Sequence, residues 1–154
     1  MSGEGAPEFE VPDASELTVA IVAGSWHVQV MDGLIAGATA TLEKSGASFD
    51  LIRVPGAFEL PVVAAKCVQR YDAVVALGVI IRGGTPHFDY VCNAATDGLT
   101  RVALDSGRPV GFGLLTCDTE QQALDRAGLP DSVESKGEEA ALAALQTAIV
   151  LRAI

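Results

Sequence analysis

Asp72-Ala-Val-Val-Ala-Leu-Gly-Val-Ile-Ile81 runs directly into Arg82-Gly-Gly-Thr-Pro-His87. The first stretch is almost wholly apolar and rich in β-branched side chains. A run of that length reads as a strand covered on both faces. The two glycines and Pro86 form a loop, and His87 to about Ser106 reads as a helix. A buried strand, a short link and a helix make one unit of a parallel α/β sheet.

The same unit repeats on either side. Thr18-Val-Ala-Ile-Val-Ala23 is a second buried strand, turned by Gly24-Ser25. From Trp26 to about Lys44, apolar residues Val30, Met31, Leu34, Ile35, Ala38 and Leu42 recur at three- and four-residue steps, giving an amphipathic helix stopped by Gly46. Phe49–Val54 is a strand ended by Pro55-Gly56, and Pro61 suits the first turn of a helix reaching about Tyr71. Pro109–Leu115 is a fourth strand. Thr119, with Gln122 three residues on, predicts a capped short helix, ended by Gly128. A last helix is expected from about Val133 onward. The alternation predicts a single-domain, three-layer α/β/α sandwich on a four-stranded, parallel, flavodoxin-like sheet with right-handed crossovers. Residues 1–17, with Pro7 and Pro12, read as an extended N-terminal arm before a domain of residues 18–154.

The chain of 154 residues suits one domain. At that size about 68–70% of the unfolded surface can be buried, so the core needs no staple. Aromatic residues are only 5%, which leaves the core to Ala, Val, Leu and Ile. Cys67, Cys92 and Cys117 are odd in number and form no C-x-x-C pair, so reduced thiols in a cytoplasmic protein are expected, with neither disulfide nor zinc. No signal peptide and no run of the roughly 20 residues that span a bilayer is visible. The net charge of −10 makes nucleic acid and anionic membranes poor partners. An anionic substrate would therefore need a local basic pocket.

In parallel α/β sheets, ligands sit beyond the carboxyl ends of the strands. Here those ends carry Gly24-Ser-Trp-His27, Pro55-Gly-Ala-Phe-Glu59, Ile80–His87 and Thr116–Thr119. The glycine loop before a helix, with Thr85 beside it, is a candidate phosphate cradle, because free amides and the helix dipole favour an anion. It is not a Walker loop; an ordinary turn is the alternative. His87 could shuttle protons beside that phosphate or merely cap the helix. Asp89 lies two residues on and off its helix face, which argues against a His–Asp dyad. Trp26 could stack on a flat heterocycle or fill the core. His27 and Glu59 could meet polyol hydroxyls, although solvation and the helix dipole account for them equally. Arg126, at the end of a short helix, reads as a dipole partner, and Lys136 as a solvated charge. No Ser-His-Asp order and no H-E-x-x-H motif occurs, and metal catalysis is not expected.

Taken together, the segments resemble lumazine synthase. The stretches that carry the resemblance are Pro55-Gly-Ala-Phe-Glu-Leu-Pro61, Ala76-Leu-Gly-Val-Ile-Ile-Arg-Gly-Gly-Thr-Pro-His-Phe-Asp-Tyr-Val-Cys92, Gly113-Leu-Leu-Thr116 with Glu120-Gln121, and Leu124-Asp-Arg-Ala-Gly128. The match covers nearly everything from Val19 onward, and the second stretch is long and specific. The resemblance implies condensation of 5-amino-6-ribitylaminouracil with 3,4-dihydroxy-2-butanone 4-phosphate, without a cofactor, in the penultimate step of riboflavin formation. It implies that Trp26 stacks on the pyrimidine. Ala57, Phe58 and Glu59 bind that substrate, the Glu at its ribityl chain. Val79, Ile80 and Ile81 meet its edge through backbone groups. It further implies that Gly84 and Thr85 hold the phosphate with Arg126, that His87 transfers protons, that Phe112 lines the substrate from a neighbouring subunit, as does Arg126, and that Lys136 lies near the pyrimidine.

The family assembles as pentamers, decamers or hollow sixty-subunit shells. Shell-formers tend to carry a Lys-Ala-Gly-Asn-like turn before the last helix. Ser135-Lys-Gly-Glu-Glu139 departs from it, which favours a homopentamer. Association with riboflavin synthase is a further partner the resemblance raises. Gly84 stands where many members have a side chain. Three rival readings are a non-catalytic flavin or lumazine carrier, a generic nucleotide domain and a structural shell protein. A carrier would lose the proton donor or phosphate site, yet His87, Thr85 and Arg126 are all present. A nucleotide domain would place its phosphate loop after the first strand, where Gly24-Ser25-Trp26-His27 is too short and bulky.

Overall fold

In the computed structural model, which describes residues 10–154, four strands form one sheet in the order β2-β1-β3-β4, every pairing parallel. The strands are β1 (Thr18–Ala23), β2 (Ser48–Arg53), β3 (Ala73–Ile81) and β4 (Val110–Cys117). The helices are α1 (Val28–Ser45), α2 (Leu60–Cys67), α3 (His87–Ser106), α4 (Glu120–Leu124) and α5 (Lys136–Ala153), with a short 3₁₀ turn at Ala57–Glu59. The expected sandwich is the observed one.

Side-chain alternation along the strands sorts the core into two halves. Val19, Ile21, Val75 and Leu77 point toward α1 and α5, where they meet Met31, Leu34, Leu42, Ala144 and Leu145. Ala20, Val22, Val74 and Ala76 point toward α2 and α3, where they meet Leu60, Ala64, Ala95 and Leu99. β3 lies between neighbours on both edges, so Ala73–Leu77 are fully buried. Each buried Leu or Val stabilises the fold by about 1.5–3 kcal/mol. α1 and α5 approach closely because Gly137 has no side chain: a methyl group there would land on the Leu34 carbonyl oxygen.

Several element ends differ from expectation. α1 starts at Val28 rather than Trp26, because His27 takes a left-handed backbone (φ 56°, ψ 65°) that ends any helix. α2 stops at Cys67 rather than Tyr71. The amides of Arg70 and Tyr71 both reach the Cys67 carbonyl, at 2.9 Å each, and turn the chain into β3. β4 extends two residues further than expected, since Thr116 and Cys117 still pair with Ile80 and Ile81. α5 starts at Lys136 rather than Val133: the amides of Val133 and Glu134 are both taken by the Asp125 carbonyl, at 2.8 and 2.9 Å.

α4 is capped as its sequence predicts on one side. Thr119 Oγ1 accepts from the Gln122 amide at 3.2 Å, while Gln122 Oε1 accepts from the amide of Asp118, one residue before the cap. Of the expected arm, residues 1–9 lie outside the described residues. Residues 10–17 form no helix or strand, and Ala14 and Leu17 are buried. Among the described residues no helix is long and apolar enough to cross a membrane.

Candidate active site

β1, β2 and β3 all end at one side of the molecule, and their ends enclose a cleft of 550 Å³. That size suits a small organic ligand. The end of β1 supplies Trp26 and His27. The segment after β2 supplies Gly56, Ala57, Phe58 and Glu59. Val79, Ile80 and Ile81 come from the end of β3, and His87, Tyr90 and Val91 from the start of α3. The walls are thus mostly apolar, with a carboxylate and two imidazoles placed among them.

Trp26 is 69% exposed, Phe58 64% and Tyr90 74%. Large aromatic side chains left that bare around one cleft mark a surface made to be covered. Local structure fixes where they stand. Ser25 Oγ donates to the Val54 carbonyl at 2.8 Å, joining the turn after β1 to the end of β2. A methyl group on Gly56 would stand 3.5 Å from the Trp26 indole nitrogen and 3.4 Å from Glu59 Oε2. The flat ring and the carboxylate therefore converge over one bare stretch of backbone. His27 adds stored strain, because a left-handed non-glycine residue costs of order 1–3 kcal/mol and concentrates at functional sites.

The loop after β3 is held at its ends. The Arg82 amide donates to the Cys117 carbonyl at 2.9 Å. Its side chain donates from Nε to Asp118 Oδ1 at 2.7 Å and reaches Asp89 Oδ1 at 3.4 Å. The guanidinium also lies 4.2 Å from the centroid of the Phe88 ring. The bond to Asp118 and the charge of Asp89 hold the guanidinium above its ordinary value. Gly83, Gly84 and Thr85 are exposed, and a methyl group on either glycine would meet open space. α3 begins right behind them at His87. Asp89 is engaged by Arg82, in keeping with the expected lack of a His–Asp dyad.

Nine of the predicted site residues line the cleft: Trp26, His27, Ala57, Phe58, Glu59, Val79, Ile80, Ile81 and His87. Gly84 and Thr85 lie in the loop immediately before His87, outside that lining. Phe112, Arg126 and Lys136 are not brought to it within one chain. Phe112 is on the edge strand β4 opposite Ala76 and is 48% exposed. Arg126 donates to the Gln122 carbonyl at 2.9 Å and stands 3.8 Å from Glu134. Lys136 is 3.2 Å from Glu134 and 2.7 Å from Glu139. Burial opposes its charge, but these two carboxylates outweigh that and hold the ammonium above its ordinary value.

Sequence reasoning missed Gly56, Tyr90 and Val91 as lining residues. Tyr90 was within reach, because positions three apart share a helix face and His87 had been singled out. All three cysteines are free, and burial pushes each thiol up, so they are poor nucleophiles. Among the described residues no cluster of His, Cys, Asp or Glu could hold a metal ion.

The fold and cleft define a parallel α/β protein with an open, mostly apolar cleft at the carboxyl ends of its strands. The model of the 6,7-dimethyl-8-ribityllumazine synthase family matches residues 16–152. Proteins of that name share 66% identity in Nocardioides sp., over 99% of this chain and 96% of the relative, and 64% in Leifsonia xyli subsp. xyli, over 100% and 99%. In Paenarthrobacter aurescens the figures are 61%, over 99% and 98%. The chain belongs to the 6,7-dimethyl-8-ribityllumazine synthase family of enzymes.

Proposed function

We propose that the cleft is one chain's share of an active site for the family's reaction, with the roles that the family resemblance implies. That reaction joins 5-amino-6-ribitylaminouracil to 3,4-dihydroxy-2-butanone 4-phosphate and releases phosphate and water. The observation that carries the reading is the convergence of Trp26, Glu59 and His87, from three strand ends, on one cleft, with the glycine loop preceding His87 in the chain. Trp26 stacks on the pyrimidine, flanked by His27, Ala57 and Phe58. Glu59 accepts from ribityl hydroxyls, and the backbone of Val79–Ile81 meets the ring edge. The amides around Gly84 and Thr85, at the start of α3, cradle the phosphate.

The chemistry is a series of proton transfers. An amine of the pyrimidine attacks the ketone and loses water to give an imine. Phosphate then leaves, the resulting enol tautomerises to a ketone, and the second amine closes the ring on that carbonyl with loss of a second water. His87 takes and returns protons, which is worth about 10²–10⁴-fold for such a group. Holding both substrates together supplies much of the remainder. Phosphate departure calls for a cation, and the family resemblance assigns that part to Arg126. Mixing the protein with both substrates should give lumazine fluorescence and phosphate above a protein-free control; none above that control would end this reading.

A second element of the proposal is assembly. Phe112, Arg126 and Lys136 lie outside the cleft of their own chain, and the family resemblance has a neighbouring chain of a homopentamer supply Phe112 and Arg126. Subunit mixing tests this directly. His87→Ala and Arg126→Ala homo-oligomers should each be slow, and unfolding and refolding them together should restore a share of intact sites. No restoration would place Arg126 in the cleft of its own chain or in no site at all. A cytoplasmic location, an arm of residues 1–17 preceding a domain of residues 18–154, and contact with riboflavin synthase belong to the same reading.

A further inference from the structure

We propose that Arg82 is a positioning residue for the glycine loop and His87 rather than a ligand of the phosphate, an assignment that rests on the loop's role given above. Arg82 is the cation next to that loop in the chain, and its chemistry would suit an anion. Its geometry commits it elsewhere. Nε donates to Asp118 at 2.7 Å, the other end of the guanidinium faces Asp89 at 3.4 Å, and its flat face lies 4.2 Å from the Phe88 ring centroid. One guanidinium thus answers two carboxylates and leaves no net charge for a third anion. Its flat fork and stacking face are what a lysine lacks.

The contacts join three elements. Arg82 follows the last residue of β3, Asp118 follows the last residue of β4, and Phe88 and Asp89 belong to the first turn of α3. In the loop between, a methyl group added to Gly83 or Gly84 would meet open space. Its course is therefore set at its two ends, and one side chain grips both. Phe88 and Asp89 are also the two residues after His87, so the same grip sets how the first turn of α3, and with it the imidazole, faces the cleft.

The test is steady-state kinetics on the assembled enzyme for Arg82→Gln, Arg82→Lys, Asp118→Asn and the Arg82→Gln/Asp118→Asn double variant, each also melted and sedimented. A small misplacement of a binding loop is enough for a loss of about tenfold. Arg82→Gln should raise KM for the keto-phosphate by about that factor while KM for the pyrimidine amine holds. Asp118→Asn should move the same constant in the same direction, and the double variant should be no worse than Arg82→Gln, because Arg82→Gln already removes the contact with Asp118. Arg82→Lys should share the loss.

A phosphate ligand behaves differently. Rescue by Arg82→Lys, or an Asp118→Asn variant that binds the keto-phosphate as well as or better than the unaltered protein, would overturn the assignment. So would an unchanged KM in Arg82→Gln. If Arg82→Gln melts early, Asp118→Asn carries the decision alone. Competitive inhibition by inorganic phosphate separates the two layers of inference. With no inhibition of the unaltered protein, the loop is not a phosphate site and the Arg82 assignment falls with it. Equal inhibition of the unaltered protein and Arg82→Gln removes Arg82 only.

Discussion

On one face of the sheet, α1 and α5 bury Val30, Met31, Leu34, Leu42 and Leu145 completely or nearly so. On the other face α3, although 20 residues long, buries only Ala95 and Leu99. Leu104 and Tyr90 on that helix are 77% and 74% exposed, and Val62 on α2 is 69% exposed. The first layer buries the larger share of its apolar side chains, although Val28 on α1 and Val150 on α5 stay 64% and 59% exposed. The second stops halfway, and the cleft opens beside it. The larger share of the buried core thus lies on one face of the sheet, and the cleft opens at the strand ends beside the less covered one.

The comparison can be broken most decisively in the more buried layer. Leu34→Ala should cost about 2–5 kcal/mol in urea unfolding, as cavities in well-packed cores do. A loss below about 1 kcal/mol would mean that this layer does not carry the fold. On the open side, His87→Ala should slow lumazine formation by about 10²-fold and leave the melting curve where it was. A shifted melting curve would show the imidazole to be structural.

A smaller effect sharpens how α5 is tied to the sheet. Asp72 accepts from the Thr18 amide and hydroxyl at 2.9 and 3.0 Å, and lies 3.1 and 3.2 Å from Arg108 and Arg152. Burial alone would raise its carboxyl, but the Thr18 bonds and Arg152 outweigh it and hold it below the ordinary 3.8. A carboxyl lowered by folding stabilises fully above its unfolded value, and that stability is lost as pH falls through the folded value. Asp72→Asn should therefore cost about 1.5 kcal/mol at neutral pH, and the gap to the unaltered protein should close only below pH 3.8. A gap that vanished already near neutrality would refute the network.

The smallest effect belongs to Leu104→Ala. In urea unfolding it should stay within about 0.5 kcal/mol. A loss above about 1 kcal/mol would mean that α3 is packed after all, and the contrast between the faces would fail.

Strands and cleft were legible to different depths. β1 and β3 were plain because a strand buried on both faces leaves a continuous apolar run, and His87 and Ser106 mark α3 in sequence and structure alike. Trp26, Glu59 and His87 were legible because strand ends are where such sheets bind. Two helix starts were not: His27 takes a left-handed backbone that delays α1, and Asp125 captures the amides that would have begun α5 at Val133. Arg82 was quoted but not understood, because its partner Asp118 is 36 residues away.

The order of apolar runs, turns and glycine stops determined the layers and sheet class of this protein, because those patterns record burial residue by residue along the chain. Which side chains share the cleft was decided only in three dimensions. Strand order β2-β1-β3 brings the ends bearing Trp26, Glu59 and His87 to one edge. It also leaves Phe112 on the outer strand, away from the cleft of its own chain. Contacts between residues far apart in sequence depend on crossover and register, and no local pattern contains them.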